Sequence, residues 1–136
     1  MEYFFKVFRD FADFKGRSHR KEFWMFGLIN FLLMVALFMV CTAIATMSDD
    51  FGIFLGVAVL LIYFLIIFVP CLAVTVRRFH DTGKSGWFTL LHFIPTVGVL
   101  IILIFMCIDS DPGDNRYGPN PKGIGNKNEI GDIGLD

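Results

Sequence analysis

The densest run of chemically capable side chains in this sequence is "RRFHDTGKSGW", residues 77 to 87. A histidine beside a carboxylate can exchange a proton, with His80 as acid or base and Asp81 orienting it. Paired guanidinium groups at Arg77 and Arg78, together with a serine hydroxyl and glycine backbone donors near a helix N-terminus, suit an anionic phosphate or a lipid headgroup. The third chemistry is structural: Gly83 and Gly86 permit a tight turn, Ser85 can cap a following helix, and Asp81 can neutralise an arginine. A second basic run, "GRSHRKEFW", supplies Arg17, Arg20, Lys21 and Glu22. A third compact polar motif, "NRYGPNP", carries Asn115, Arg116 and Tyr117.

No metal or cofactor chemistry is expected from these residues. The His80-Asp81 dipeptide is similar to metal-phosphohydrolase signatures, but those need further histidines, and His19, His80 and His92 are too scattered for a zinc site. "DSDPGDN" alternates acids as a calcium loop does, yet lacks the ordered ligand series and the closing glutamate, so an Asp/Pro/Gly turn is the expectation. Cys41, Cys71 and Cys107 have no paired spacing and read as small apolar fillers, with no disulfide expected.

The elements that must position these groups follow from composition. The chain has 136 residues, of which 55% are hydrophobic, 16% aromatic and only 18% charged. Its 17 phenylalanines exceed what one small water-facing domain can hide. A bilayer provides the missing apolar solvent, and a spanning helix needs about 20 apolar residues. Three runs qualify, at about 23–47, 51–76 and 86–108, and none contains Asp, Glu, Lys or Arg. The expected fold is an all-α membrane protein in which three transmembrane helices follow an amphipathic interfacial helix and precede an irregular tail. The first run exceeds a signal-peptide core of roughly 7 to 15 residues, so it is expected to remain as an uncleaved anchor.

Basic residues flanking the spans set the orientation. Lys6, Arg9, Lys15, Arg17, Arg20 and Lys21 precede the first span, "SDD" after it has none, and Arg77, Arg78 and Lys84 follow the second. The N-terminus and the second loop are therefore expected in the cytoplasm. A third full crossing then places the tail outside, where Arg116, Lys122 and Lys127 are outnumbered by six acids. Pro95 and Gly98 interrupt the third run, and a re-entrant hairpin there is the alternative, which would return the tail to the cytoplasmic side.

At 100° per residue, Tyr3, Phe4, Val7, Phe8, Phe11 and Phe14 share one arc, opposite Glu2, Lys6, Arg9, Asp10 and Asp13. This predicts a helix over residues 2–15, lying in the headgroup plane or packed on the protein's own loops, with Gly16 as its stop. Residues 109–122 read as consecutive turns that complete a single membrane domain over residues 1–122, and 123–136 as a disordered tail.

Depth distinguishes the intramembrane polar residues. Counted from the cytoplasmic boundary, Asn30 is about seven residues in, Pro70 and Cys71 five to six and His92 six, all roughly 8 to 10 Å deep at a helical rise. Sharing one layer, Asn30 and His92 are expected to meet, directly or through water, as interhelical glue or as a proton relay. Gly52 and Gly56 form a G-x-x-x-G that allows close helix approach.

"FKGRSHRKEFWMF", "RRFHDTGKSGW" followed by "FIPTVG", and "GDNRYGPNP", in this order, resemble the small bacterial inner-membrane proteins called domain of unknown function 805, the YhaH/YhaI-like family. The resemblance runs from about residue 3 to 122 and implies a bacterial inner-membrane protein. It lends no biochemical function.

The leading functional expectation is a non-enzymatic module whose cytoplasmic-face cluster of Arg17, Arg20, Arg77, Arg78, His80, Asp81 and Ser85 binds an anionic lipid headgroup or a protein partner, within an oligomer or a partner complex. One alternative is an oligomeric small transporter or channel with Asn30 and His92 lining its path. Another is a membrane-embedded enzyme acting on a phosphate-bearing substrate, though no nucleophile or metal set is evident. Nucleic-acid binding is not expected, since the net charge is −1 and the basic residues lie against the bilayer.

Overall fold

The computed structural model describes residues 2–47 and 50–126. All its regular elements are helical. Helix α1 spans Glu2–Arg9, α2 spans Arg20–Met47 and α3 spans Asp50–Asp81. A 3₁₀ segment, Gly86–Phe93, and α4, Val97–Cys107, follow.

α2 and α3 contain 28 and 32 residues, about 42 and 48 Å at 1.5 Å per residue, and both are long and apolar enough to cross a membrane. They form an antiparallel pair. Arg77 near the end of α3 reaches Glu22 at the start of α2, Tyr63 meets Asn30 midway, and Gly56 lies against Cys41 near the far end. A Cβ at Gly56 would sit 3.3 Å from the Cβ of Cys41, so the expected close approach is present and glycine permits it. Pro70 lies within α3 without ending it.

Burial along this pair is inverted relative to a water-soluble domain. Phe31, Phe38, Phe54, Leu61 and Leu65 are exposed, whereas Arg78, Glu22, Asp81 and Ser18 are fully buried together at one end. In water each exposed aliphatic or aromatic side chain would forgo roughly 1.5–3 kcal/mol of burial. A hydrocarbon environment removes that deficit.

α1 is shorter than the helix expected over residues 2–15. It ends at Arg9, and the chain then turns through an Asp10 carbonyl to Asp13 N–H bond and an Asp13 carboxylate that accepts from the Lys15 N–H. Aspartate side chains compete for backbone donors in this way and stop helices. Val7 is fully buried against Phe26 and Val74, and Phe8 packs beside them, while Phe5, Phe11 and Phe14 remain exposed.

The continuous third helix expected over residues 86–108 is also replaced, by two short pieces and a reversal. The 3₁₀ segment has 8 residues, about 16 Å at 2 Å per residue, and α4 has 11, about 16 Å. Between them the Pro95 carbonyl accepts from the Val97 N–H at 2.7 Å across Thr96, whose φ of 62° is a strained γ-turn value for a residue with a Cβ. At Gly98 a Cβ would overlap the Leu91 carbonyl, so only glycine lets α4 fold back along the 3₁₀ segment.

Both ends of this hairpin return to the last turns of α3. Gly86 lies beside Val76 and His80, while Ile102 and Met106 of α4 bury against Phe79 and the Ile108 carbonyl accepts from Arg78. The proline and glycine thus reverse the chain rather than kink a spanning helix. The tail is returned to the end of the molecule that holds Arg17 and Asp81. Of the tail expected to be disordered, residues 123–126 are described and bond back, Ile124 to Gly113 and Asn126 to Asn120. The remainder, 127–136, lies outside the described residues.

Candidate functional site

The site is built on Asp81, the last residue of α3. Its side chain is fully buried and receives Arg17 Nε at 3.0 Å on one oxygen and Arg78 Nη1 and Ser110 Oγ on the other. Its backbone carbonyl accepts from the Asp111 N–H at 3.0 Å and from Arg17 Nη2. One carboxylate thereby gathers the loop after α1, the end of α3 and the start of the tail.

Arg17 completes this arrangement. Its Nη1 donates to the Gly113 and Gly118 carbonyls and its Nη2 to those of Asp81 and Asp111, so all five guanidinium N–H groups have acceptors. With its side chain 1% exposed, Arg17 has no donor left for an external anion. Gly16, at φ +79°, turns the chain so that this side chain enters the cluster.

A second buried carboxylate organises the neighbouring half. Glu22 accepts from Arg77 Nη2 at 3.2 Å and from Lys6 Nζ at 2.9 Å. Arg77 also reaches the Asp10 carbonyl, and its own carbonyl accepts from the Ser18 N–H at 3.2 Å. α1 is thus tied to α2 and α3 by charge as well as by Val7. Farther out, Arg20 donates to the Cys107 carbonyl and pairs with Asp109 at 3.2 Å, and Lys122 bonds the same carboxylate. The Lys122 ammonium, followed by the Ser110 N–H and then Arg20, holds the Asp109 carboxyl below the ordinary carboxylate range.

The tail motif joins the cluster through His80. The imidazole lies 3.7 Å from the Tyr117 ring and nearly parallel to it, at 6°, with the Arg116 guanidinium 4.6 Å from the other ring's centroid. Asn115 Nδ2 donates to the His80 carbonyl at 2.9 Å, and its Oδ1 accepts from the Tyr117 N–H, closing the Asn115 to Gly118 turn. His80 Nδ1 faces the Gly16 carbonyl at 3.3 Å. A carbonyl only accepts, so in the neutral ring the proton sits on Nδ1 and Nε2 keeps its lone pair.

Of the residues singled out from sequence, Arg17, Arg20, Arg77, Arg78, His80 and Asp81 converge, and Asn115, Arg116 and Tyr117 join them. Ser85 caps the 3₁₀ segment, accepting from the Trp87 N–H at 3.4 Å. Asn30 and His92 take different direct partners. Asn30 accepts from the Tyr63 hydroxyl at 3.1 Å and donates to the Phe26 carbonyl, whereas His92 Nδ1 contacts the Thr89 carbonyl at 2.9 Å. Equal depth did not make them direct partners because His92 lies on a 3₁₀ segment, whose rise and angular step differ from those of an α-helix. Tyr63, Ser110, Asp111 and Asn120 were not foreseen. Tyr63 carried a signal as a hydroxyl-bearing residue within an apolar run; Asp111 acts through its backbone N–H and carbonyl, and the side chains of Ser110 and Asn120 reach Asp81 and the Asp111 carbonyl only because the tail folds back, which sequence spacing does not reveal.

A groove of about 880 Å³ runs from this cluster along α3. Phe64, Phe68, Leu72 and Val76 form one wall at helical spacing, and Leu90 and Phe93 of the 3₁₀ segment form the other. His80, Ser85, Thr89 and Tyr117 line it as well.

Two long apolar helices fastened at one end by buried ion pairs define an integral membrane protein. The chain matches the family model described as protein of unknown function (DUF805) over residues 11–119, and it belongs to that family. It is 39% identical to the inner membrane protein YhaH of Escherichia coli K12 over 123 residues, 90% of this chain and 98% of that protein. It is 38% identical to the inner membrane protein YhaI of the same strain, covering 90% and 97% of the two chains. The uncharacterized protein YiiR matches at 27% over 82% of this chain and 88% of its own length. No solved structure matches.

Proposed function

We propose that this protein is a non-enzymatic inner-membrane module that binds anionic phospholipid headgroups at its cytoplasmic face. In this reading α2 and α3 cross the bilayer, α1 lies at the interface, and residues 86–108 dip into the inner leaflet and return. The excess of Lys and Arg around residues 6–21 and 77–84 supports a cytoplasmic position for that face.

The observation that carries the proposal is the division of labour among the cations. Arg17 is consumed by Asp81 and backbone carbonyls, while Arg78 pairs with Asp81 and Arg77 with Glu22, each keeping an unpartnered Nε that is buried away from the surface. Lys21, Lys84 and Arg116 are exposed and have no carboxylate partner among the described residues. The buried arginines therefore build the surface, and the exposed cations meet the ligand. This revises the expectation that the paired arginines contact the headgroup themselves. Each exposed Lys or Arg near an anionic membrane surface contributes on the order of 1 kcal/mol of attraction.

Thermal melting of the purified protein in detergent tests this reading. Added phosphatidylglycerol should raise the melting temperature more than phosphatidylcholine does, because a ligand that binds only the folded state stabilises it. A Lys84→Ala, Arg116→Ala variant should lose the difference. Equal shifts from the two lipids would contradict the proposal.

A further inference from the structure

We infer that the groove between α3 and the 3₁₀ segment seats one acyl chain of a phospholipid whose headgroup lies at His80, Ser85 and Thr89. The identity of the preferred headgroup rests on the reading above; the seating of a chain does not.

The groove has the dimensions of one leaflet. Its α3 wall descends from Val76 to Phe64 in steps of four residues, about 18 Å at 1.5 Å per residue, against roughly 15 Å for half the hydrocarbon thickness. His80 occupies the next step of that same stripe. An apolar trough that ends in polar groups at the level of the charged cluster has the profile of a single lipid chain and its ester region.

The polar end is incompletely satisfied by the protein. Thr89 is only 7% exposed, yet its hydroxyl has no hydrogen-bond partner. A buried hydroxyl left unpaired costs about 1–3 kcal/mol, which a phosphate or ester oxygen accepting its proton would relieve. With Nδ1 turned to the Gly16 carbonyl, His80 has Nε2 free to accept from a headgroup hydroxyl or ammonium. Lys84 and Arg116, next in sequence to the lining residues Ser85 and Tyr117, add positive charge that matches a phosphate.

The groove on the other side of α3 is the contrast. It encloses about 770 Å³ between α2 and α3, but its polar groups, Asn30 and Tyr63, bond each other. It offers an ordinary lipid-facing surface with no unsatisfied group.

Trp87 lines the proposed seat and is 78% exposed, and Trp24 is the other tryptophan in the chain. A Trp24→Phe variant reconstituted in phosphatidylcholine bilayers therefore reports on the groove alone. Phosphatidylglycerol with brominated chains should quench Trp87 at about tenfold lower mole fraction than it quenches Trp24 in a Trp87→Phe variant. Thr89→Val, which keeps the side-chain volume and removes the hydroxyl, should bring the two titrations together while the fold stays intact. Superimposable titrations in the parent variants, or a Thr89→Val titration unchanged from its parent, would overturn the acyl-chain seat. If brominated phosphatidylcholine quenches Trp87 as steeply as phosphatidylglycerol and Thr89→Val abolishes both, the seat stands and the anionic-headgroup reading fails. If quenching is shallow while phosphatidylglycerol still raises the melting temperature selectively, the seat fails and the headgroup reading stands.

Discussion

Arg17 Nε donates to Asp81 Oδ1 at 3.0 Å, with both side chains withdrawn from solvent. The pair joins the loop before α2 to the last residue of α3, and the other four N–H groups of Arg17 carry the connection to Asp81, Asp111, Gly113 and Gly118. One ion pair thus ties three segments together, and the position of the tail follows from it.

Removing the carboxylate from this clasp should be severe. Asp81→Asn leaves Arg17 and Arg78 buried without a countercharge, and breaking a buried pair in this way costs about 3–5 kcal/mol. Arg17→Lys should also fail to rescue, because an ammonium has three donors where the guanidinium uses five. Chemical denaturation in mixed micelles checks both, with Lys15→Ala as an exposed control expected within about 0.5 kcal/mol of the parent.

The reversal at residues 94–98 makes two opposite predictions. Gly98→Ala should destabilise the protein, since the added Cβ would overlap the Leu91 carbonyl. Thr96→Gly should stabilise it, because a strained φ of 62° costs a residue with a Cβ about 1–3 kcal/mol and glycine much less. Melting temperatures of the two variants decide the matter. A neutral Gly98→Ala would contradict the hairpin geometry.

Asp109 gives the tail an acid sensitivity. Lys122 holds its carboxyl below the ordinary range, so the folded state favours the ionised form. The resulting stabilisation is fully present above the unfolded-chain pKa, about 3.9, and is lost as pH falls through the lower folded value. Hydrogen-exchange protection factors of residues 110–122, referred to the unfolded chain at each pH, should fall on acidification through that window. Asp109→Asn should show the lower protection already at neutral pH and no further fall through that window.

The sequence made the charged end legible and left the chain's path ambiguous, for a physical reason in each case. Opposite charges at residues 17–22 and 77–81, on antiparallel apolar helices, must meet at one end, and Gly83 and Ser85 announced a turn and a cap. Hydropathy cannot distinguish a crossing from a dip, because residues 86–108 are equally apolar in either path. The direction is decided by Thr96 φ, by the missing Cβ of Gly98 and by the Ile108 carbonyl that accepts from Arg78. Glu22 was visible as a charge, but its link to Lys6 depends on α1 folding onto α2. Asn30 and His92 show the limit of depth arguments, which fix a level and not a direction around the helix.

If residues 86–108 re-enter, as proposed above, the tail and the N-terminus share one side of the membrane. In a variant lacking Cys41, Cys71 and Cys107, single reporter cysteines at Lys15, Asp50 and Ile124, all exposed, can be tested with an impermeant thiol reagent in intact and opened cells. Re-entry requires labelling of the Asp50→Cys reporter in intact cells, and of Lys15→Cys and Ile124→Cys only after opening. Labelling of Ile124→Cys in intact cells, with Lys15→Cys still protected, would mean a third crossing and would contradict it.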